Sequence, residues 1–414
     1  MKAGLRVLGI ISAAIIAVIV MQLLGFYHIP GFEDVLLLPS PDILYVSESP
    51  GATTEPDASY SPAYADIISI KYCRSRLGKN ERAVYDTIYN AVDSLKAEVS
   101  LKQHMVDVDS LLKVYHLYTL DSPEHYWVEN ISYYYDEYTN LVNKIRFVYN
   151  VKSPEEKAGL DQKLDARVNS ILMDIDKNAS DYSKVKYVHD HIVSNTAYDK
   201  AAEHNQNILS VLLYNTSVCA GYARTTQYLL NRLGVECLYV EGTSRGEHHA
   251  WNIVKVDGKY YNLDTTWDDP VFKSPADMDY SSYISYEYFL VTDEAISKTH
   301  KMGPAAVKFP ACVSTESNYF RKEGLLFDTF GAREARTVAG KIYDNILSRP
   351  RFISFRFSTP SAYEHYMDNI SSYWYEIARA VNEMHGSDIV NMYQASYFKS
   401  DDGGNTVCMV IYYN

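Results

Sequence analysis

The chain has 414 residues, enough for two or three domains with substantial cores, so neither a metal nor a disulfide is needed to compensate for small size. The formal charge is −13 at pH 7 and there is no basic stripe, which excludes nucleic-acid binding as the main activity. Tyrosine, at 38 residues against 13 phenylalanines, reads as half-buried structural aromatics rather than as a special binding surface.

Residues 1–27 read as a transmembrane signal-anchor. After Lys2 and Arg6 comes VLGIISAAIIAVIVMQLLGF, about 20 residues with only Ser12 and Gln22 polar, long enough at about 1.5 Å per residue to cross a hydrocarbon core of about 30 Å. No Lys or Arg recurs until Lys71, whereas Glu33, Asp34, Asp42, Glu48, Glu55, Asp57 and Asp66 intervene. The positive-inside rule then predicts a single-pass protein of the cell membrane, with a cytoplasmic N-terminus and the bulk of the chain extracellular. A cleaved signal peptide is the rival reading, but no A-x-A-like site follows the apolar run. Residues 28–70, rich in Pro, Ser, Thr and acids, read as an extended stalk.

Residues 71–180 are expected to be mainly helical with one hairpin. Ala83, Ile88, Val92 and Leu95 fall near helical spacing in a pattern running from Gly78 to about His116. ENISYYYDEYTNLVNKIRFVY reads as the hairpin, and SPEE starts a further helix, with Ser153 as cap, Pro154 in the first turn and Glu156 completing a capping box.

Residues 181–312 hold the residues with chemical potential. A helix around Tyr182–Val193 puts Val185, Val188 and Ile192 on one stripe. His189 and His191 in VHDHIV are two apart on that helix and point to different sides, so zinc is set aside, and no metal or cofactor is expected. In NTSVCAGYARTTQYLLNRLGVECLYVEG, Cys219 opens a helical run (Ala223, Leu229, Leu230, Leu233) that Gly234 closes. A thiol at a helix N-terminus meets the positive end of the dipole and a set of free N–H groups, which favour thiolate and can stabilise an oxyanion. The other four cysteines, Cys73, Cys237, Cys312 and Cys408, could be free or bridged in any of three pairings.

The segment HHAWNIVKVDGKYYNLDTTWDDP contains Asp257-Gly258 between β-prone runs, the signature of a two-residue type I′ hairpin. That turn sets Val256 opposite Lys259, Val254 opposite Tyr261 and Asn252 opposite Leu263, so that Trp251 faces Asp264. His249 then lies diagonal to Asp264 on one face, at roughly 7–8 Å between backbones. The other face, with Ala250, Val254, Val256, Tyr261 and Leu263, reads as core. A one-residue slip would part the imidazole from the carboxylate. With Cys219 added, the three residues suit acyl transfer: a thiolate nucleophile, an imidazole that moves the proton, and a carboxylate that orients it. Residues 313–414 read as a small α/β unit: a strand at RFISFRFS, a long helix from about Ala362 to Met384, and two strands around DDGG.

The order C-A-G-Y-A, then H-A-W-N, then Y-N-L-D-T-T-W, between about Asp181 and Pro270, resembles the transglutaminase-like superfamily of papain-like thiol enzymes, in particular a microbial membrane-anchored extracellular branch. HIVSNTAYD and YFLVTDEAISKTH are similar to flanks of that branch and extend the resemblance to about His300. It implies an α+β fold in which the cysteine helix packs on an antiparallel sheet, and a triad of Cys219, His249 and Asp264. The second oxyanion donor is unassigned; Tyr198 is a candidate only through its place upstream of Cys219. Val218 and Ala220 stand where animal members have glutamine and tryptophan, and no acidic loop has calcium-site spacing, which argues against calcium-dependent cross-linking. The expected activity is acyl transfer at peptide or isopeptide amides, as peptide hydrolysis or transglutamination. The expected partners are a protein or peptide substrate, cell-wall peptide among them, the membrane through the N-terminal helix, and no nucleic acid. The alternative is a non-catalytic cell-surface binding module that keeps the fold.

Overall fold

The computed structural model describes residues 71–269, 282–399 and 404–414. The expected anchor (1–27) and stalk (28–70) lie outside the described residues. Among the described residues no helix is long and apolar enough to cross a membrane. The longest described helix, Pro154–Leu172, carries charged residues from Glu155 to Arg167. The single-pass membrane location expected from the sequence, and the extracellular placement that rested on it, therefore have no described helix to carry them and are withdrawn.

The first part of the chain builds helices against a small sheet. Helices Tyr72–Ser75 and Lys79–Asp93 are followed by β1 (Glu98–Ser100), β2 (Val106–Asp107), helix Val108–Asp121, and the hairpin of β3 (Val128–Tyr135) and β4 (Leu141–Tyr149). β4 is the centre: β3 pairs along one side of it, β1 and β2 in turn along the other. The continuous helical pattern expected from Gly78 to His116 is thus broken. Leu95 adopts a left-handed conformation (φ 50°) and the Lys96 N–H turns back to the Ala91 carbonyl at 2.8 Å, which ends the first helix. The Asp107 carboxylate then accepts the Ser110 N–H at 2.7 Å and starts the next. Helical spacing is a local signal, and the pull of β4 on Val99 and Val106 overrides it. Ser153 caps helix Pro154–Leu172 by accepting the Glu156 N–H at 3.2 Å, but Glu156 reaches the Lys152 N–H rather than that of Ser153, so the expected box is displaced by one residue.

The middle of the chain runs through helix Asp181–Asn195, β5 (Ala197–Tyr198), helix Ile208–Tyr214, β6 (Thr216–Ser217), helix Cys219–Arg232, and then β7 (Cys237–Ser244), β8 (Glu247–Val256) and β9 (Lys259–Leu263). After helix Asp293–Ile296, β10 (His300–Met302) completes an antiparallel sheet in the order β10-β7-β8-β9. The cysteine helix packs on this sheet, which makes the core the expected α+β arrangement. Asn252 on β8 donates to the Ala223 carbonyl of the helix at 3.0 Å and to the Leu238 carbonyl of β7 at 3.2 Å, tying the layers together without charge. At the other end, Arg224 and Gln227 donate to the Thr119 and Leu120 carbonyls (2.6 and 2.9 Å), which are among the unpaired acceptors at the end of helix Val108–Asp121. The cysteine helix is therefore clamped between the sheet and the first part of the chain.

The β8–β9 register is the one the turn dictates: Asn252 opposite Leu263, Val254 opposite Tyr261, Val256 opposite Lys259, with positive φ at Asp257 and Gly258. The burial differs from the one-sided expectation. Trp251, Ile253, Asn262 and Asp264 are as buried as Ala250, Val254 and Leu263. Segment 288–300 covers the second face, with Asn262 and Val291 exchanging backbone hydrogen bonds at 2.9 Å and the His300 ring 5.3 Å from that of Trp251.

The last part holds helix Tyr319–Lys322, β11 (Leu326–Phe327), helix Ala332–Asp344, β12 (Phe352–Phe357), helices Pro360–Asp368 and Ile370–His385, β13 (Ser396–Lys399) and β14 (Thr406–Val410). The sheet order is β11-β12-β14-β13, with β11 parallel to β12 and the rest antiparallel. Phe320, Phe355, Tyr366, Trp374, Val381 and Met409 are fully buried in its core. The long helix expected from Ala362 to Met384 is two helices, because Asn369 leaves helical geometry and its side chain takes the His365 carbonyl at 2.9 Å, in place of the backbone.

Candidate functional site

Cys219 is the first residue of its helix, entered from an extended Val218. The N–H groups of that first turn have no acceptor within the helix and point outward at its positive end. Two features hold this end. β5 pairs with β6 so that Tyr198 lies beside Ser217, and the Asp199 N–H donates to the Ser217 carbonyl at 2.8 Å. Gly221 presses on a buried pair of hydroxyls: a Cβ there would lie 2.0 Å from Ser217 Oγ and 2.5 Å from Ser210 Oγ. The second residue after the thiol must therefore lack a side chain for the turn to seat.

All five cysteines are free, which leaves none of the three disulfide pairings. Cys73, Cys237, Cys312 and Cys408 are buried, and burial pushes each of these thiols up. Cys219 alone is partly exposed. Its sulfur lies near enough to the His249 ring to favour the charged imidazole. On the other side of that ring Nε2 lies 2.6 Å from Asp264 Oδ2. An ionised carboxylate has no proton to give, so Nε2 carries the hydrogen and Nδ1 is the ring atom left to exchange a proton with the thiol. Of the three residues named from the sequence, His249 and Asp264 are hydrogen-bonded, and the Cys219 sulfur acts on the same ring.

Asp264 serves two purposes. Its Oδ1 accepts the Thr266 and Trp267 N–H groups (2.9 and 3.1 Å), the local turn-starting role such a residue commonly has. Its Oδ2 is turned to the imidazole. Burial disfavours its charged form, but the His249 charge and hydrogen bond, joined by His300, outweigh burial and hold the carboxyl well below the usual carboxylate range. For His249 burial likewise opposes the charge, and Asp264 together with the Cys219 sulfur overcomes it, so that the pKa is raised to about 10. An unfolded imidazole releases its proton near 6.5, so the stability this group contributes is complete below about pH 6.5 and is lost as pH rises toward 10. The urea midpoint of the wild type is expected to fall over that window, and that of His249→Gln to fall less; parallel curves would contradict the assignment.

Sequence reasoning missed His300. Its Nε2 also lies on Asp264 Oδ2, at 2.9 Å, and its side chain is fully buried. The only signal was a lone histidine ending YFLVTDEAISKTH, and nothing local ties it to Asp264; β10 brings it there by pairing His300 with Ser244 of β7. His249, Asp264 and His300 place their donor atoms within 4.8 Å of one another, a set that could hold a metal ion, although here both nitrogens are satisfied by the same carboxylate oxygen. Trp251, Trp267 and Tyr288 wall in the histidines, with ring separations of 5.3 to 6.3 Å. His189 makes a separate buried pair, Nε2 to Asp268 Oδ2 at 3.0 Å and Nδ1 to Asp190 Oδ1 at 2.9 Å, and shares no ligand cluster with His191 among the described residues. Tyr198, adjacent to the thiol, has its hydroxyl pKa raised by burial and by the Cys219 charge.

Residues 169–265 match the family model of the transglutaminase-like superfamily. The resemblance read from the motifs therefore stands, and it covers less than a quarter of the chain. No curated protein matches the chain. Among solved structures, the chain is similar to a TGase at 17% identity over 38% of this chain and 49% of that one, with a TM-score of 0.25. It is also similar to a candidate cysteine protease from Cytophaga hutchinsonii at 18% identity over 30% and 51%, with a TM-score of 0.23. A third similar structure is menin, described with its binding site for the Mixed Lineage Leukemia protein, at 17% identity over 75% and 63%, with a TM-score of 0.23. The match spans about half the length of the first two.

Proposed function

We propose that the protein is a thiol enzyme that transfers acyl groups from peptide or isopeptide amides through a thioester on Cys219. The observation that carries this reading is the row Cys219–His249–Asp264, with the sulfur at a helix N-terminus. The Cys219 thiolate attacks the amide carbonyl and a C–S bond forms, while the Cys219 N–H faces the oxyanion. His249 gives its Nδ1 proton to the departing nitrogen, the C–N bond breaks and the amine leaves. The neutral ring then takes a proton from water or a second amine, which attacks the thioester and frees the thiolate. Asp264 keeps the ring in the tautomer with Nδ1 toward the sulfur and balances the imidazolium charge. Water as acceptor makes the protein a peptidase or amidase, an amine makes it a transglutaminase, and both use the same first half-reaction.

The test is incubation of the full chain with a library of glutamine-bearing peptides, with and without a labelled amine. Cleavage or deamidation without label identifies a hydrolase and incorporation identifies a transferase; both are expected to vanish in Cys219→Ser. If the wild type yields neither product, the enzyme reading fails.

A further inference from the structure

The second imidazole on Asp264 has no part in the half-reactions above, yet it occupies half of the carboxylate oxygen that the mechanism depends on. Because an ionised carboxylate only accepts, the His300 Nε2 must carry its hydrogen, as the His249 Nε2 must. With Nε2 protonated, a neutral His300 has Nδ1 free to accept, and Thr299 Oγ1 lies 2.8 Å from it. The Thr299 oxygen in turn lies 3.3 Å from the Tyr288 hydroxyl. The Thr299 hydroxyl also reaches the Ile296 carbonyl at 3.4 Å, and Asp264 Oδ2 receives both His300 and His249. The titratable groups that face His300 are Asp264, His249 and Tyr288, with Arg245 one layer out, stacked on Trp267. Trp251 and Trp267 exclude water from the ring.

We propose that His300 is a positioning residue: by donating a second hydrogen bond to Asp264 Oδ2 it keeps that carboxylate ionised and aimed at His249, and so sustains the charged partner of the Cys219 thiolate. The proposal rests on the function proposed above. Two consequences have the same sign. Without the His300 N–H, Asp264 protonates more readily as pH falls, and its Oδ2 is free to turn away from His249. Either change weakens the imidazolium beside the sulfur, so the thiolate forms only at higher pH.

The experiment is the rate of Cys219 alkylation by iodoacetamide in the full chain, read by peptide mass spectrometry from about pH 4 to about pH 9. The wild type is expected to give a rate above that of an ordinary thiol, and its acid limb is the reference for the variants. His300→Phe is expected to move that limb upward by about one pH unit, the worth of one hydrogen bond to a charged group. His300→Gln, whose amide N–H can reach the same oxygen, should restore most of the shift. A merely structural role would lower the thermal midpoint and leave the limb in place, and an unshifted limb in a folded His300→Phe overturns the proposal. If His300→Phe does not fold, the wild type labelled with 15N-histidine decides: a neutral Nε2–H tautomer for His300 at pH 7 supports the assignment, and an Nδ1–H tautomer overturns it. A wild-type Cys219 no faster than an ordinary thiol would instead sink the enzyme reading itself, so the two failures are distinguishable.

Discussion

Asp264→Asn is expected to lower turnover by about four orders of magnitude while the protein remains folded. The asparagine oxygen can stay on the Oδ1 side, where it still accepts the Thr266 and Trp267 N–H groups, so the turn is kept. The amide nitrogen then occupies the Oδ2 position, where it meets two N–H groups, one from each histidine. Donor faces donor, and the imidazoles can relieve the clash only by moving their hydrogen to Nδ1. For His249 that tautomer points a hydrogen at the sulfur and removes the site that would take the thiol proton. The measurement is kcat for the peptide substrates identified above, alongside the Cys219 alkylation profile; circular dichroism checks that the fold is intact. A loss below about tenfold would mean that the carboxylate does not orient the ring, and the mechanism would need a different base.

Gly242→Ala is expected to be strongly damaging, costing about 3 kcal/mol of stability in urea unfolding and displacing His300. Gly242 lies between His249 on β8 and Met302 on β10, in direct register with both. A Cβ there would lie 2.2 Å from the Lys301 carbonyl oxygen, 2.9 Å from the Gly303 nitrogen and 2.9 Å from the tip of the Trp251 ring. Two of these are backbone atoms, which no rotamer change can move. Relief requires β10 to separate from β7, and β10 is the strand that begins with His300. The alkylation profile of Gly242→Ala should therefore resemble that of His300→Phe. A fully stable Gly242→Ala with a wild-type profile would show that β10 does not set the position of His300.

The features legible in the chain are those with short-range causes. The Asp257-Gly258 turn specifies the β8–β9 register as far as Asn252 and Leu263 because its two left-handed residues admit one pairing, and Asp264 follows directly on β9, within hydrogen-bond reach of His249. The start of the Cys219 helix and its end near Gly234 follow from apolar spacing and a glycine that tolerates φ of 77°. Where competing long-range partners exist, local pattern failed: Leu95 and Asn369 break helices whose spacing gave no warning.

What the sequence determined by itself was which residues could do the chemistry, and how two of them lie along one hairpin. Only the tertiary structure decided that both faces of the hairpin are covered and that a second histidine shares the carboxylate. The reason is distance along the chain. His249 and Asp264 are 15 residues apart and joined by a turn with one allowed geometry, whereas His300 is 36 residues from Asp264 and arrives on a different strand. That last approach is set by the packing of β10 on β7 and by the absence of a side chain at Gly242, neither of which has a periodicity to read.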